Sequence, residues 1–509
     1  MNLEAHFAPF RANILGVDQD FESPFGSQRL LYADWTASGR MFGPIEKMMS
    51  EEIGPFIGNT HTETSVTGTT MTRAYHEALH IIKHHVHAGP QDAIICYGSG
   101  MTGVINKFQR ILGLRVHEKY REQVTLPPAA RPVVFITHME HHSNQTSWLE
   151  SVADVQVIGA NADGLVDLDH LAALLTEYRG RRIKIASVTS CSNVTGILTP
   201  YHEIATLMHR AGGLCFVDFA ASAPYIAIDM HPASHPEGGL DAIYFSPHKF
   251  LGGPGTCGVL VFNTQLYTNR VPDNPGGGTV DWTNPWGQHR YFDDIEARED
   301  GGTPGFTQAI RTALCIRLKE AMGIENIRRR ERELVELIWD RLAAIPGLHV
   351  LANQHRDRLA IISFYIEHLH YNLAVRLLND RYGIQTRGGC SCAGTYGHFL
   401  LQVTPGRSKS ITDRIDLGDK SDKPGWIRLS LHPTTTDAEA HRLVEAITAL
   451  AAHHRVWAAD YTYNSRTNEY THHQDTGAIG RRVQHWFDEF AATGVVAREW
   501  ERMGLGYEI

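Results

Sequence analysis

Short apolar runs alternate through the first half of the chain with longer segments whose apolar positions recur every three to four residues. The runs at 93–97, 132–136, 155–159, 183–188, 214–217, 242–245 and 259–262 are too short for helices and read as buried strands. Between them, 71–88, 104–112, 168–178 and 202–210 carry helical periodicity, and Gly43-Pro44 before Ile45, Met48 and Met49 reads as a helix start. Strands recurring with helices between them predict an α/β fold with a mostly parallel, doubly wound sheet. Two long helical patterns follow at 308–322 and 326–344. Alternation then resumes with strands at 348–351, 359–365, 384–387 and 426–431 and helices at 371–381 and 437–454, the mark of a smaller α+β domain. Residues 1–30 read as mixed and loop-like. The charged, apolar-poor stretch 407–422 reads as a lid or insertion that orders on demand, and the tail carries one helix near 483–500. No internal repeat is found.

In sheets of this kind ligands lie beyond the C-terminal ends of the strands. Four polar clusters fall there: 137–144, 189–195, 218–222 and 246–249. The last ends in Lys249, after Ser246, Pro247 and His248 and before a Gly-rich turn. A lysine so placed forms a Schiff base when a carbonyl cofactor is held beside it. A second Gly-rich turn, Gly98-Ser99-Gly100-Met101-Thr102-Gly103, joins a strand to a helix. This arrangement turns backbone N–H groups toward a phosphate. It has neither Walker nor dinucleotide-fingerprint spacing.

Composition narrows the partners. The 509 residues allow two or three domains, and a net charge of -9 argues against a nucleic-acid binder. No apolar run approaches the ~18 residues of a membrane span, and the first residues lack a secretory pattern. Seven cysteines, an odd number, lie mostly in apolar runs, as expected of reduced thiols in a cytoplasmic protein.

With these pieces in order, the chain resembles the class V, fold-type I enzymes of pyridoxal 5′-phosphate. Within them it is most similar to cysteine desulfurases and selenocysteine lyases. The matching segments are Phe245-Ser-Pro-His-Lys249, Met139-Glu-His-His-Ser-Asn144, Ser192-Asn-Val-Thr-Gly196 and Val217-Asp-Phe-Ala220, within about 32–432. The resemblance implies a large cofactor domain (31–307) with a mostly parallel seven-stranded sheet. It also implies a small α+β domain (308–455), with residues 1–30 joining it. Residues 399–424 and 456–509 have no counterpart and read as a lid-like insertion and a helical extension.

The resemblance also assigns roles. Lys249 would hold the cofactor and move the substrate Cα proton, with Asp218 facing the pyridine nitrogen and His141 stacked on the ring. Asn193 would bond near the phenolate oxygen. Gly100, Met101, Thr102, Ser246 and His248 would take the phosphate, with Thr303 reaching it across a homodimer interface. Arg428 would grip the substrate α-carboxylate. In Thr386-Arg-Gly-Gly-Cys-Ser-Cys-Ala-Gly394, Cys392 lies five residues after Arg387, the spacing of a sulfur-accepting cysteine. Only a thiolate attacks well, so a neighbouring cation or imidazole should support it, with Arg387 and His398 as candidates. Cys390 is either a resolving thiol or a spectator. One departure is Ala221, where the family usually has Gln: either Ser222 or a nearby hydroxyl substitutes, or the tuning of the ring differs.

The expected activity is removal of sulfur, or selenium, from L-cysteine, or selenocysteine, through an enzyme persulfide to leave L-alanine for a sulfur-acceptor protein. The nearest rivals are an aminotransferase, epimerase or C–S lyase of the same class. A rival of another kind is a metal protein built on His138, His141 and His142 with Cys390 and Cys392, although no further ligands follow at matching spacing.

Overall fold

The computed structural model describes residues 2–493, with side chains to residue 490. Seven strands form one sheet: β1 (Asp92–Tyr97), β2 (Val133–Thr137), β3 (Asp154–Ile158), β4 (Lys184–Thr189), β5 (Leu214–Asp218), β6 (Ala242–Phe245) and β7 (Gly258–Asn263). Their spatial order is β1-β7-β6-β5-β4-β2-β3. All neighbours run parallel except β7, which is antiparallel to both β1 and β6. The apolar runs are continuous because helices cover both faces, so successive residues enter opposite cores. Ile94, Val133, Phe135, Val217 and Phe245 join one buried cluster, and Ile95, Val134, Ile136, Phe216 and Tyr244 the other.

A second, antiparallel sheet has the order β8 (Leu348–Val350), β9 (Ile361–Ile366), β11 (Trp426–Ser430) and β10 (Arg387–Gly389). Helices Ile324–Ala343, Tyr371–Tyr382 and Asp437–Trp457 bury their apolar faces with it in a separate core. The N-terminal side of the chain is stitched onto this sheet. Leu31–Tyr32 pairs in parallel with Ile384–Gln385, and Asp34 bridges to Ser430. That crossing brings residue 34 beside residue 428, far away in sequence.

Four elements differ from their sequence reading. Residues 1–30 are not loop-like: they hold helix Leu3–Arg11 and a hairpin, Asp20–Ser23 with Gly26–Arg29. Asn2 caps that helix and Leu3 and Phe7 bury one face, while Pro9 inside it masks the signal. The predicted strand at 384–387 divides into Ile384–Gln385 and β10, which belong to different sheets. The stretch 407–422 is an ordered helix, Pro405–Asp416, capped by Thr404. Arg414 forks to Asp419 and Asp422 beyond its end. Among its residues only Ile411 is buried, so the apolar period is invisible. The tail forms an unforeseen hairpin, Tyr461–Asn464 with Glu469–His472, before helix Ala478–Thr493. The part of the predicted tail helix beyond 493 lies outside the described residues. No described helix is long and apolar enough to cross a membrane.

The turn that carries Lys249 is braced from the N-terminal side. Gly39 N–H donates to His248 O at 2.8 Å, and a Cβ at Gly39 would stand 1.8 Å from Phe250 O. Gly39→Ala must push this turn away. We expect it to cost about 2–3 kcal/mol and to weaken cofactor retention, as read by thermal unfolding with and without pyridoxal phosphate.

Candidate active site

The C-terminal ends of β1, β2, β4, β5 and β6 converge on one cavity of about 210 Å³. Lys249, Asp218, His141, Asn193, Arg428 and Cys392 all open on it. Met101, Thr102, Ser246, His248 and Arg387 complete the set of foreseen residues that reach it. Gly100 stands directly behind this wall: a Cβ there would lie 3.1 Å from Ser246 Oγ.

Lys249 ends a short 3₁₀ turn, Pro247–Lys249. Proline suits the first position of that turn because its φ is already near the helical value. The amine opens on the cavity, but surrounding protein depletes it of water. Burial, reinforced by Arg428 and Arg387 and opposed by Asp218, lowers its pKa from 10.5 to about 8. Neutral amine, the form that captures an aldehyde, therefore becomes the majority as pH rises through about 8. We expect the rate at which the apoprotein takes up pyridoxal phosphate to climb about tenfold per pH unit below this midpoint and to level off above it. Stopped-flow absorbance at a series of pH values reads this. A rate still climbing past about pH 10 would mean an unperturbed lysine.

Asp218 ends β5, paired in register with Thr189 and Tyr244. Its Oδ1 accepts the Ala220 N–H at 2.8 Å, and burial pushes its pKa up to about 6. A buried carboxyl so raised is completed by a cationic N–H, as a pyridinium provides. His141 caps helix His142–Leu149, its Nδ1 accepting the Ser143 N–H at 3.1 Å. Burial, with Lys249 and His142 nearby, lowers it to about 3, so it is a neutral, flat neighbour for a ring. Beneath it Glu140 accepts from Thr137 Oγ1 (2.7 Å), Asn144 Nδ2 (2.7 Å) and Thr189 N (2.8 Å). These bonds lock the loop after β2 to the end of β4.

At the other end, helix Met101–Ile111 points its N-terminus toward the cavity. Ser246 Oγ accepts the Met101 N–H at 2.8 Å, and Thr102 Oγ1 and Ser143 Oγ lie 2.7 Å apart. A Cβ at Gly258 would come within 2.4 Å of Gly100 O, so β7 and the phosphate-type turn touch through backbone.

Asp34 was not foreseen as a site residue. Its carboxylate joins the two arginines, accepting from Arg428 Nη2 at 2.8 Å and Arg387 Nε at 3.1 Å. Arg428 Nη1 donates to Asn193 O at 3.2 Å. Asn193 Nδ2 donates to Ser391 O at 2.7 Å, tying the β4 end to the cysteine loop. Three buried polar atoms of cavity-lining residues have no partner among the described residues: Thr36 Oγ1, Asn193 Oδ1 and Arg428 Nε. Such atoms cost free energy unless a ligand satisfies them. Thr36, Ser143 and Thr189 also line the cavity unforeseen. Asp34 and Thr36 sit in a segment that reads only as a short apolar run and its turn.

Two expectations change. His398 does not serve Cys392: its Nδ1 donates to Gly394 O (2.8 Å), and its Nε2 accepts from Ser408 Oγ (2.8 Å), outside the cavity. Arg387 remains as the cation lining the same space as Cys392. Ser222 does not replace the missing glutamine, because it is fully buried with its hydroxyl 2.6 Å from Ser190 Oγ. Ala221 instead leaves bare wall there. Thr303 lies outside the Lys249 cavity, its hydroxyl donating to Asn59 Oδ1 at 3.2 Å. It lines a separate cavity of about 320 Å³ beside Tyr97, Gly98 and Gly301. The histidines of the metal reading are spoken for separately. His138 Nε2 meets Gly164 O (3.3 Å), and His142 Nε2 accepts the Gly394 N–H (2.9 Å).

The Aminotransferase class-V family model matches residues 31–443. A probable cysteine desulfurase of Halalkalibacterium halodurans is 28% identical over 368 residues, covering 72% of this chain and 84% of that protein. One from Staphylococcus epidermidis is 27% identical over 389 residues, covering 75% and 88%. Among solved structures, a cysteine desulfurase from Thermococcus onnurineus shares the fold with TM-score 0.70 at 20% identity, over 87% of this chain and 98% of its own. One from Escherichia coli does so at 0.67 and 23%, over 87% and 97%. Class V enzymes depend on pyridoxal phosphate, and this cavity fits it: a buried lysine for the aldehyde, a carboxyl for the pyridine nitrogen, a flat imidazole and a helix N-terminus for the phosphate. The chain belongs to the class-V aminotransferase family.

Proposed function

We propose that this protein is a cysteine desulfurase, removing sulfur, or selenium, from L-cysteine, or selenocysteine, to leave L-alanine. The observation that carries the reading is the meeting of Lys249, Arg428 and the exposed Cys392 on one small cavity. Arg428, held by Asp34 and Asn193, presents its remaining N–H groups to the substrate carboxylate, a contact suited to a planar fork. Lys249, as a neutral amine, takes the Cα proton and later returns it there, while the proton that Cys392 loses on ionising ends on the β-carbon, completing L-alanine. Pyridoxal phosphate supplies the electron sink for this chemistry. Cys392, as thiolate, attacks the substrate sulfur. A Cys392 persulfide forms as the C–S bond breaks, with the bonding pair left on carbon. Arg387 and Arg428 provide positive charge beside the thiolate.

The same reading carries a cytoplasmic homodimer, in which Thr303 reaches the partner's phosphate site, and a sulfur-acceptor protein. It divides the chain into a cofactor domain of residues 31–307 and a small domain of 308–455. Ala221 favours a second reading, an aminotransferase, epimerase or C–S lyase, because the cofactor ring loses the contact a glutamine would make. An amino-acid screen with product identification separates them. L-alanine and sulfane sulfur from L-cysteine support desulfuration. A keto acid, a racemised amino acid, or pyruvate with ammonia would each sink it.

A further inference from the structure

Cys390 and Cys392 occupy the first and third positions of one β-turn. Ala393 N–H donates to Cys390 O at 3.0 Å, and the central residues Ser391 and Cys392 have φ of 51° and 56°. Two left-handed central residues make a type I′ turn, which non-glycine residues adopt only where their surroundings hold them. Here three bonds do so. Trp426 Nε1 donates to Ser391 Oγ (3.2 Å), Asn193 Nδ2 to Ser391 O (2.7 Å) and His142 N to Cys392 O (2.7 Å). The clamped turn sends its two cysteines to different spaces.

Cys392 lines the cavity with Lys249, whereas Cys390 lines a second one, of about 140 Å³. Leu401, Ile411, Ile415 and Trp426 make that cavity almost wholly apolar, and His398 and Lys423 complete its lining. Much of the wall comes from helix Pro405–Asp416 in the insertion. The insertion thus builds a pocket around a second thiol, two residues from the first and apart from the cofactor space.

We propose that Cys390 is a second sulfur carrier, which takes the outer sulfur from a Cys392 persulfide and presents it in the apolar pocket. This rests on the desulfurase reading above. The Cys390 thiolate attacks the outer sulfur, a new S–S bond forms, and the bond to Cys392 Sγ breaks with its electron pair returning to Cys392. The proton released by Cys390 ends on the Cys392 thiolate, so persulfide and thiol exchange places with no oxidant or reductant. The transfer requires the exposed Cys392 side chain to turn about χ1 toward Cys390, two residues away. Cys392 is then ready for another substrate. The acceptor this pocket suits is a thiol carried beside an apolar group, small enough to enter 140 Å³.

The test uses cofactor-loaded protein given L-cysteine without reductant, then alkylated, digested and sequenced by fragment mass spectrometry. The wild type is expected to carry one extra sulfur on Cys390. Cys390→Ser should carry it on Cys392, and Cys392→Ser on neither position. The visible cofactor band, measured on each variant, shows that the active-site fold is kept. Sulfur confined to Cys392 in the wild type would overturn the relay, as would a Cys390–Cys392 disulfide with free sulfide. Absence of alanine in the wild type would overturn the desulfurase reading itself, and the relay with it.

Discussion

Lys249→Ala is expected to abolish the visible absorption of the cofactor-loaded protein and to lower turnover by at least about ten-thousand-fold. In the proposed function two roles rest on this one amine: the covalent hold on the cofactor and the shuttling of the substrate proton. No nearby group can replace it. His141 and His248, lowered to about 3 and about 4 chiefly by burial, are too weakly basic to take the substrate proton, and an imidazole does not form the aldehyde linkage of a primary amine. Arg387 and Arg428 are committed to Asp34 and, as guanidiniums, do not act as bases. The variant should fold, because the turn at 246–250 is closed by backbone bonds, Lys249 N to Ser246 O and Phe250 N to Pro247 O. Absorbance spectra and circular dichroism of the variant check both halves of this expectation. A variant that stays yellow and active would show that the cofactor is anchored elsewhere.

Cys392→Ala is expected to do the opposite: keep the yellow colour and lose sulfur transfer down to the uncatalysed background. Cys392 is exposed at the rim of the cavity, so its removal leaves no buried void. Alanine meets the same φ penalty as cysteine at 56°, so the turn is no worse off. The residues proposed to hold the cofactor, Asp218, His141 and the helix N-terminus, remain untouched. Sulfide and alanine assays beside the absorption spectrum separate binding from chemistry. Continued desulfuration by this variant would move the nucleophile elsewhere.

The two experiments divide the site along a line already present in its electrostatics. Lys249 and Asp218 are mutually adjusted by burial, one lowered and the other raised, as befits groups that await a cofactor carrying complementary charge. Cys392 stands in a wetter place, exposed at the rim of the same cavity. Glu140, pushed up to about 7 by burial, does no chemistry in this scheme and serves to bind β2 to β4.

Much of the fold was legible because its signals are local. A parallel sheet covered on both faces needs continuous apolar strands, and most of the seven appear in the chain as such runs, the half-exposed edge strand Asp154–Ile158 being mixed. The strand ends could then be lined up, and the polar clusters beyond them mark Lys249, Asp218, Asn193 and His141. Elements supported mainly by caps or pairing were harder. Helix Leu3–Arg11 rests on Asn2 and two buried side chains, and helix Pro405–Asp416 on Thr404 and the Arg414 ion pairs. Neither has the broad apolar stripe that periodicity detects.

What the sequence determined by itself, then, is the order of strands and helices and the chemistry available at each strand end, since hydrophobic period and residue type are properties of short stretches. Tertiary structure alone decided which distant groups meet. Asp34 became the bridge between Arg428 and Arg387 because Leu31–Tyr32 is captured as a strand by Ile384–Gln385, a pairing with no local signature. The same packing took His398 away from Cys392 and gave it to the pocket of Cys390. Side-chain direction within a tight turn depends on backbone φ, and that is set by the bonds of neighbouring elements rather than by the residues of the turn.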